Sequence, residues 1–180
     1  MAAAGVQATG SSAPATSIQG AISLAAPLSR RRSGAGAQVW LLPAGTGGFA
    51  EGDEEARLDA LASEMATLQT AAKKALEGGP NFAEATRKHD EIMADRRRAE
   101  RERDDLVAGI HARHEGVALR AAVASGFADA HGAYKVEAPA GAYLLYARFL
   151  RGDLDVEWIE TVTLPSKLDL DETLARHLAP

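Results

Sequence analysis

Hydrophobic positions recur along this chain with two different periods, and the period changes twice. From Ser17, SIQGAISL alternates Ile18, Gly20, Ile22 and Leu24 against Gln19, Ala21 and Ser23, the period of two expected of a strand with one buried face. After the polar stretch APLSRRRSGAG, AQVWLLP predicts a second strand, with Ala37, Val39 and Leu41 on one face and Trp40 and Leu42 on the other. Pro43 ends it, because proline has no N–H to give to a ladder. AGTGGFAEG reads as a connector, and from Asp53 the period becomes helical: Leu58, Leu61, Met65, Leu68 and Ala72 lie three and four apart along one seam. Asp53, Glu54 and Glu55 suit the positive end of a helix dipole. Within EGGPN, Gly78 suits a C-terminal cap and Pro80 cannot continue the helix. Phe82, Ala85, His89, Ile92, Arg96, Ala99, Arg103, Leu106 and Ile110 then resume the spacing. Two such helices around a tight break predict an antiparallel hairpin, since neither seam is buried alone.

After Gly116 the period of two returns. VALRAAVAS alternates Val117, Leu119, Ala121 and Val123, and ADAHGAY is a turn formed by Asp129 and Gly132. YKVEA is a short strand, AYLLYARFL is apolar on both faces and therefore central, LDVEWIETVTL alternates Val156, Trp158, Val162 and Leu164, and KLDL ends the series. Seven short strands with regular turns are the pattern of a β-sandwich. The predicted class is α+β: a small seven-stranded antiparallel β-sandwich with an antiparallel, coiled-coil-like helical hairpin inserted between strands 2 and 3. The expected organisation is a disordered segment at 1–16, a sandwich from 17–43 plus 116–172, a hairpin at 53–115 and a tail at 173–180. The two helices come to about 25 and about 33 residues, a difference of ~12 Å at the helical rise.

The β-segments carry a further pattern. IQGAISL, GAQVWLLP, ASGFADAHGAYKVEAPAGAYLLYARF, VEWIETVTL and KLDL together resemble the carboxypeptidase regulatory-like, transthyretin-like sandwich domain. Gly20, Ile22, Val39, Leu41, Asp129, Gly132, Tyr134, Val136, Gly141, Tyr143, Leu145 and Ala147 take the positions of that family's pattern. Ala128 replaces its usual threonine, and Pro139 stands one place before the position where proline is common, which Ala140 occupies. The resemblance leaves the helical segment unexplained. It implies an accessory, non-enzymatic module with a protein partner on an exported protein, hence a periplasmic or secreted location.

Composition excludes some functions and leaves others open. Among 180 residues there are no cysteines, so disulfides, thiol nucleophiles and cysteine-ligated zinc are excluded. A net charge of −5 argues against a general nucleic-acid binder, which presents a positive face to phosphates. No apolar run approaches the ~20 residues of a membrane span. The N-terminal MAAAGVQATGSSAPATS lacks the basic start and apolar segment of a signal peptide. It reads either as a leader of a cytoplasmic protein or as the start of an exported one whose signal was replaced.

No catalytic residue, cofactor site or metal site is expected, because no serine-nucleophile motif, framed carboxylate pair or dinucleotide fingerprint occurs. His111 and His114, with Glu115 beside them, share a helix face, and a small metal-dependent hydrolase using them is the alternative function. Their bland reading is as solvated histidines at the foot of the hairpin. A cytoplasmic coiled-coil scaffold is a further alternative. GTGG at 45–48 lacks the lysine of a phosphate loop, and RGD at 151–153 reads as a turn. The arginines of DRRRAERERDD interleave with carboxylates, the mark of a solvated, ion-paired helix. The candidate interaction surface is the strip Arg96, Arg103, Leu106 and Ile110; its bland reading is burial of Leu106, Val107 and Ile110 against the β-domain or the Ala44–Gly52 connector, with Phe49 as the plug. The chain is expected to be a monomer, with a homodimer through the hairpin as the other possibility.

Overall fold

The computed structural model describes residues 15–24, 32–49, 52–77, 82–152, 154–171 and 173–175. The segment expected to be disordered lies outside these residues apart from Ala15 and Thr16, which open the first strand. Most of the polar stretch after Leu24, the helix break at 78–81 and the end of the tail also lie outside them. The elements run β1 (Ala15–Ala21), β2 (Ser23–Leu24), β3 (Arg32–Ser33), β4 (Gln38–Pro43), α1 (Gly52–Glu77), α2 (Phe82–Ala121), β5 (Ala124–Phe127), β6 (Ala133–Pro139), β7 (Gly141–Arg151), β8 (Leu154–Leu164) and β9 (Ser166–Lys167). This is an α+β chain. It divides into two compact units, one holding the strands up to Thr46 and from Ala121 onward, the other holding Gly47–Arg120.

In the strand unit, β6-β1-β9 form one sheet, β5-β4-β7-β8 a second, and β2 and β3 a short separate pair. Alternation decides which side chains meet. Ile18, Tyr134, Val136 and Ala138 of the first sheet share one buried cluster with Val39, Leu41, Leu145, Ala147, Phe149, Val156 and Trp158 of the second. β7 is central, paired to both β4 and β8, as a strand apolar on both faces must be. Its other face is also buried at Tyr146, whose ring stacks on Trp40 with centroids 5.2 Å apart. The Tyr146 hydroxyl donates to Glu157, itself fully buried.

Three expectations give way. The sheets are not purely antiparallel: β1 pairs with β9 in parallel, Ile18 opposite Ser166, because the chain leaving β8 crosses to the other sheet and runs alongside β1. SIQGAISL is not one strand. At Ile22 the backbone N–H donates to Gly132 and the carbonyl accepts from Gly34, which turns the chain out of β1 into the β2–β3 pair. VALRAAVAS is mostly helix, for α2 continues to Ala121 and only Ala124–Phe127 is strand. Here Val117, Leu119 and Ala121 fit a period of two, but Ile110, His114 and Ala118 fit spacings of four, and helix-forming alanine and arginine favour the second. Accordingly Ala118 is buried and Leu119 is 65% exposed. The helices have 26 and 40 residues, so they differ in length by about 21 Å, not ~12 Å.

Polar handles of the strand unit are spent on backbone. Gly20 lies opposite Tyr134 in the β1–β6 ladder, and a methyl group there would come within 1.7 Å of the Leu168 carbonyl oxygen. That same oxygen accepts the Tyr134 hydroxyl at 2.6 Å. Burial pushes the Tyr134 hydroxyl up from the ordinary tyrosine range. The Tyr143 hydroxyl reaches back four residues to the Pro139 carbonyl, and Trp158 Nε1 donates to Asp171. In the turn before β6, the Asp129 carboxylate accepts the N–H groups of His131 and Ala133. Those bonds hold its carboxyl below the ordinary range. Gly132 has φ of +83° and faces the Ile22 carbonyl, so a side chain is excluded twice over.

Two outcomes test this account in urea denaturation. Trp158→Ala should cost about 3–5 kcal/mol, and Gly20→Ala should destabilise by at least the ~1–3 kcal/mol of an overpacked core. A Gly20→Ala variant as stable as wild type would mean that β1 does not lie against the Leu168 carbonyl. Asp129→Asn keeps one acceptor oxygen and removes the charge. The wild-type contribution is complete above the ordinary carboxylate range and is lost as pH falls through the lowered value. Stability of the variant should therefore fall less steeply on the acid side, and an unchanged slope contradicts the turn's role.

Candidate functional site

The helical unit carries the residues singled out for interaction. Two ion pairs between helices, Glu54 with Arg113 and Arg57 with Glu102, run in opposite senses along the two sequences and set the helices antiparallel. Leu61 and Ala72 of α1 and Ala99, Val107 and Ile110 of α2 are buried along the seams. Seam position alone explains this, since each lies three, four or seven residues from the next apolar position.

The strip is only partly surface. Ile110 is fully buried within the chain and cannot present itself to a partner without rearrangement. Leu106 is half-buried. Arg96 pairs with Glu100 and Arg103 with Asp104, so both guanidiniums are partly neutralised on their own helix. Arg98 pairs with Asp95. Arg97 and Arg101, four apart and both exposed, make no ion pair among the described residues. Within DRRRAERERDD the outward cations are thus Arg97, Arg98 and Arg101 rather than the two seam arginines. Helical phase was the signal that separates them: seam positions face inward even when charged, and only the aliphatic stem of arginine suits that place.

His111 and His114 are not solvated. They are 3% and 0% exposed, and the His114 ring lies 4.8 Å from that of Phe49, tilted by 36°. Phe49 is buried, as the bland reading of the connector expected. The physical reason is that α2 runs past His114 instead of ending there, so both histidines fall on the inner side of a continuing seam. Beside them Arg113 donates through both terminal nitrogens to the Glu54 carboxylate and through Nε to the Gly48 carbonyl. Arg113 holds the Glu54 carboxyl below the ordinary range, against the opposing effect of burial, and His114 adds to the lowering. Among the described residues no three His, Cys, Asp or Glu side chains come together in a way that could hold a metal ion.

The remaining motifs are structural. Gly45 and Gly48 have φ of +79° and +99°, and Thr46 turns back to donate to the Pro43 carbonyl. Arg151 ends β7 and Gly152, with φ of +66°, begins the turn to β8. Asp153, which completes RGD, lies outside the described residues. No described helix is long and apolar enough to cross a membrane. Compared with known protein families, curated proteins and solved structures, the chain finds no match.

The Glu54–Arg113 pair predicts a pH effect. Because the Glu54 pKa is lowered, its contribution is complete above the ordinary carboxylate range and disappears as pH falls through the lowered value. Glu54→Gln should lower the helical melting temperature near neutral pH, and the difference from wild type should shrink as pH falls through the lowered value. Equal melting of the two proteins at neutral pH refutes the pair's contribution.

Proposed function

We propose that the chain is a non-enzymatic accessory module of an exported protein. In this reading the strands are a seven-stranded sandwich of the carboxypeptidase regulatory-like, transthyretin-like kind. The helical hairpin interrupts it between its second and third strands, as a spacer or partner-binding element.

The observation that carries the reading is the use made of the motif residues. Asp129 and Gly132 build a turn, Tyr134 and Tyr143 tie strands to backbone carbonyls, and Gly20 admits a close carbonyl. A pattern whose polar members are all consumed in holding backbone has a structural purpose. Residues of the three-stranded and four-stranded sheets share one buried cluster, and a short two-stranded pair lies apart from both, which supports packed sheets as the frame of the module. β4 and β5 are ladder partners although both helices lie between them in sequence, which is the arrangement an insertion needs. Arg97 and Arg101 offer the hairpin's partner two outward positive charges. Export rests on the resemblance alone.

Recovery of a tagged full-length chain from its native cells tests the hairpin's part. An Arg97→Ala, Arg101→Ala variant with unchanged circular dichroism should lose a protein that the wild type retains. Identical recovery in both, or none in either, would sink the partner-binding role. Metal analysis separates this reading from the hydrolase alternative: stoichiometric zinc in the purified protein, lost in His111→Ala, would overturn the non-enzymatic assignment.

A further inference from the structure

A cavity of about 520 Å³ opens at one end of the strand unit, lined by Arg32, Ser33, Phe149, Arg151, Gly152 and Leu154. Its size falls within the ~300–1,000 Å³ of small-molecule sites. Phe149 and Leu154 are the apolar members of its lining. Phe149 belongs to the buried core and is 4% exposed, while Leu154 packs against that core. The rim is cationic, and its two guanidiniums come from different parts of the fold, Arg32 from β3 and Arg151 from the end of β7. Neither makes an ion pair among the described residues. Arg148, three residues before Arg151 on β7, is by contrast committed to both oxygens of Asp155. Ser33 Oγ donates to the Ala130 carbonyl at 3.3 Å, so its proton is already committed within the protein.

Two like charges brought to one hollow repel each other, and an anion placed between them relieves that repulsion. Guanidinium donors suit the oxygens of a phosphate group, bidentate where geometry allows. We propose that this end of the strand unit binds a phosphate monoester carrying a compact apolar group. The dianion matches the two guanidiniums, and the apolar group rests on Phe149 and Leu154. Loops and strand ends gathered at one end of packed sheets are a usual place for such recognition. The site is separate from the partner-binding part assigned to the hairpin, and it does not depend on it.

Titration of the full-length protein with phenyl phosphate at low ionic strength tests the assignment, followed by calorimetry and by the amide resonances of Ser33 and Gly152. Phenyl phosphate should bind saturably and move both resonances. Inorganic phosphate, without the apolar group, and benzyl alcohol, without the charge, should each bind at least about tenfold more weakly. Arg32→Gln and Arg151→Gln are exposed substitutions that leave the core intact. Each should weaken phenyl phosphate about tenfold or more, the loss expected for a charge-assisted hydrogen bond. Absence of saturable binding in the millimolar range overturns the proposal, as does binding indifferent to both substitutions. Equal affinity for phenyl phosphate and inorganic phosphate overturns the role of Phe149 and Leu154.

Discussion

Leu41 and Ala124 face each other in one antiparallel ladder, and the Val123 N–H donates to the Leu41 carbonyl, although both helices separate them in sequence. The rest of the strand unit depends on this closure. β4 stands between β5 and β7, so losing β5 would leave β4 as an edge and uncover the ladder groups of a strand whose residues from Val39 to Leu42 are all buried. The entropy of closing so long an excursion grows only slowly with its length. Closure at that distance is therefore no obstacle, provided the excursion has a structure of its own. The helices supply it through two seams and two ion pairs.

Within the strand unit, a chain that is only 5% aromatic obtains order by tying its few large side chains at both ends. Trp158, Tyr134 and Tyr143 each place a ring in or against the core and a polar atom on a backbone carbonyl. A buried ring fixes position, and its hydrogen bond fixes orientation. The bonds also satisfy carbonyls in the irregular stretch around β9, where few ladder partners exist. Leu168 and Asp171 accept two of the three, which is how a two-residue strand is held in place against β1.

The helical unit solves a different problem. Some of its surface charges are paired along or between the helices, and exposed pairs such as Arg57 with Glu102 contribute little to stability. They set register instead. Stability rests on the seam, which includes two histidines and the stems of arginines as well as apolar residues. The Glu54–Arg113 pair beside His114 joins the two functions, since it links the first turn of α1 to the far part of α2 and is sensitive to acid.

Much of this was legible along the chain. The alternation in AQVWLLP, AYLLYARFL and LDVEWIETVTL states which side chains face the core, and spacings of three and four state which helix positions are buried. Such periods survive because every residue of a strand or helix sees the same two-sided environment. What the period cannot carry is the identity of the neighbour across space. Nothing local distinguishes a parallel partner for β1 from an antiparallel one, or marks Leu168 as the carbonyl that Gly20 must clear. VALRAA satisfies both periods over so short a run, and the longer seam through Ile110, His114 and Ala118 decided it as helix. That continuation buried His111 and His114. Tertiary structure alone brought Arg32 and Arg151 to one hollow, because they sit far apart in sequence and meet only once the sheets have packed.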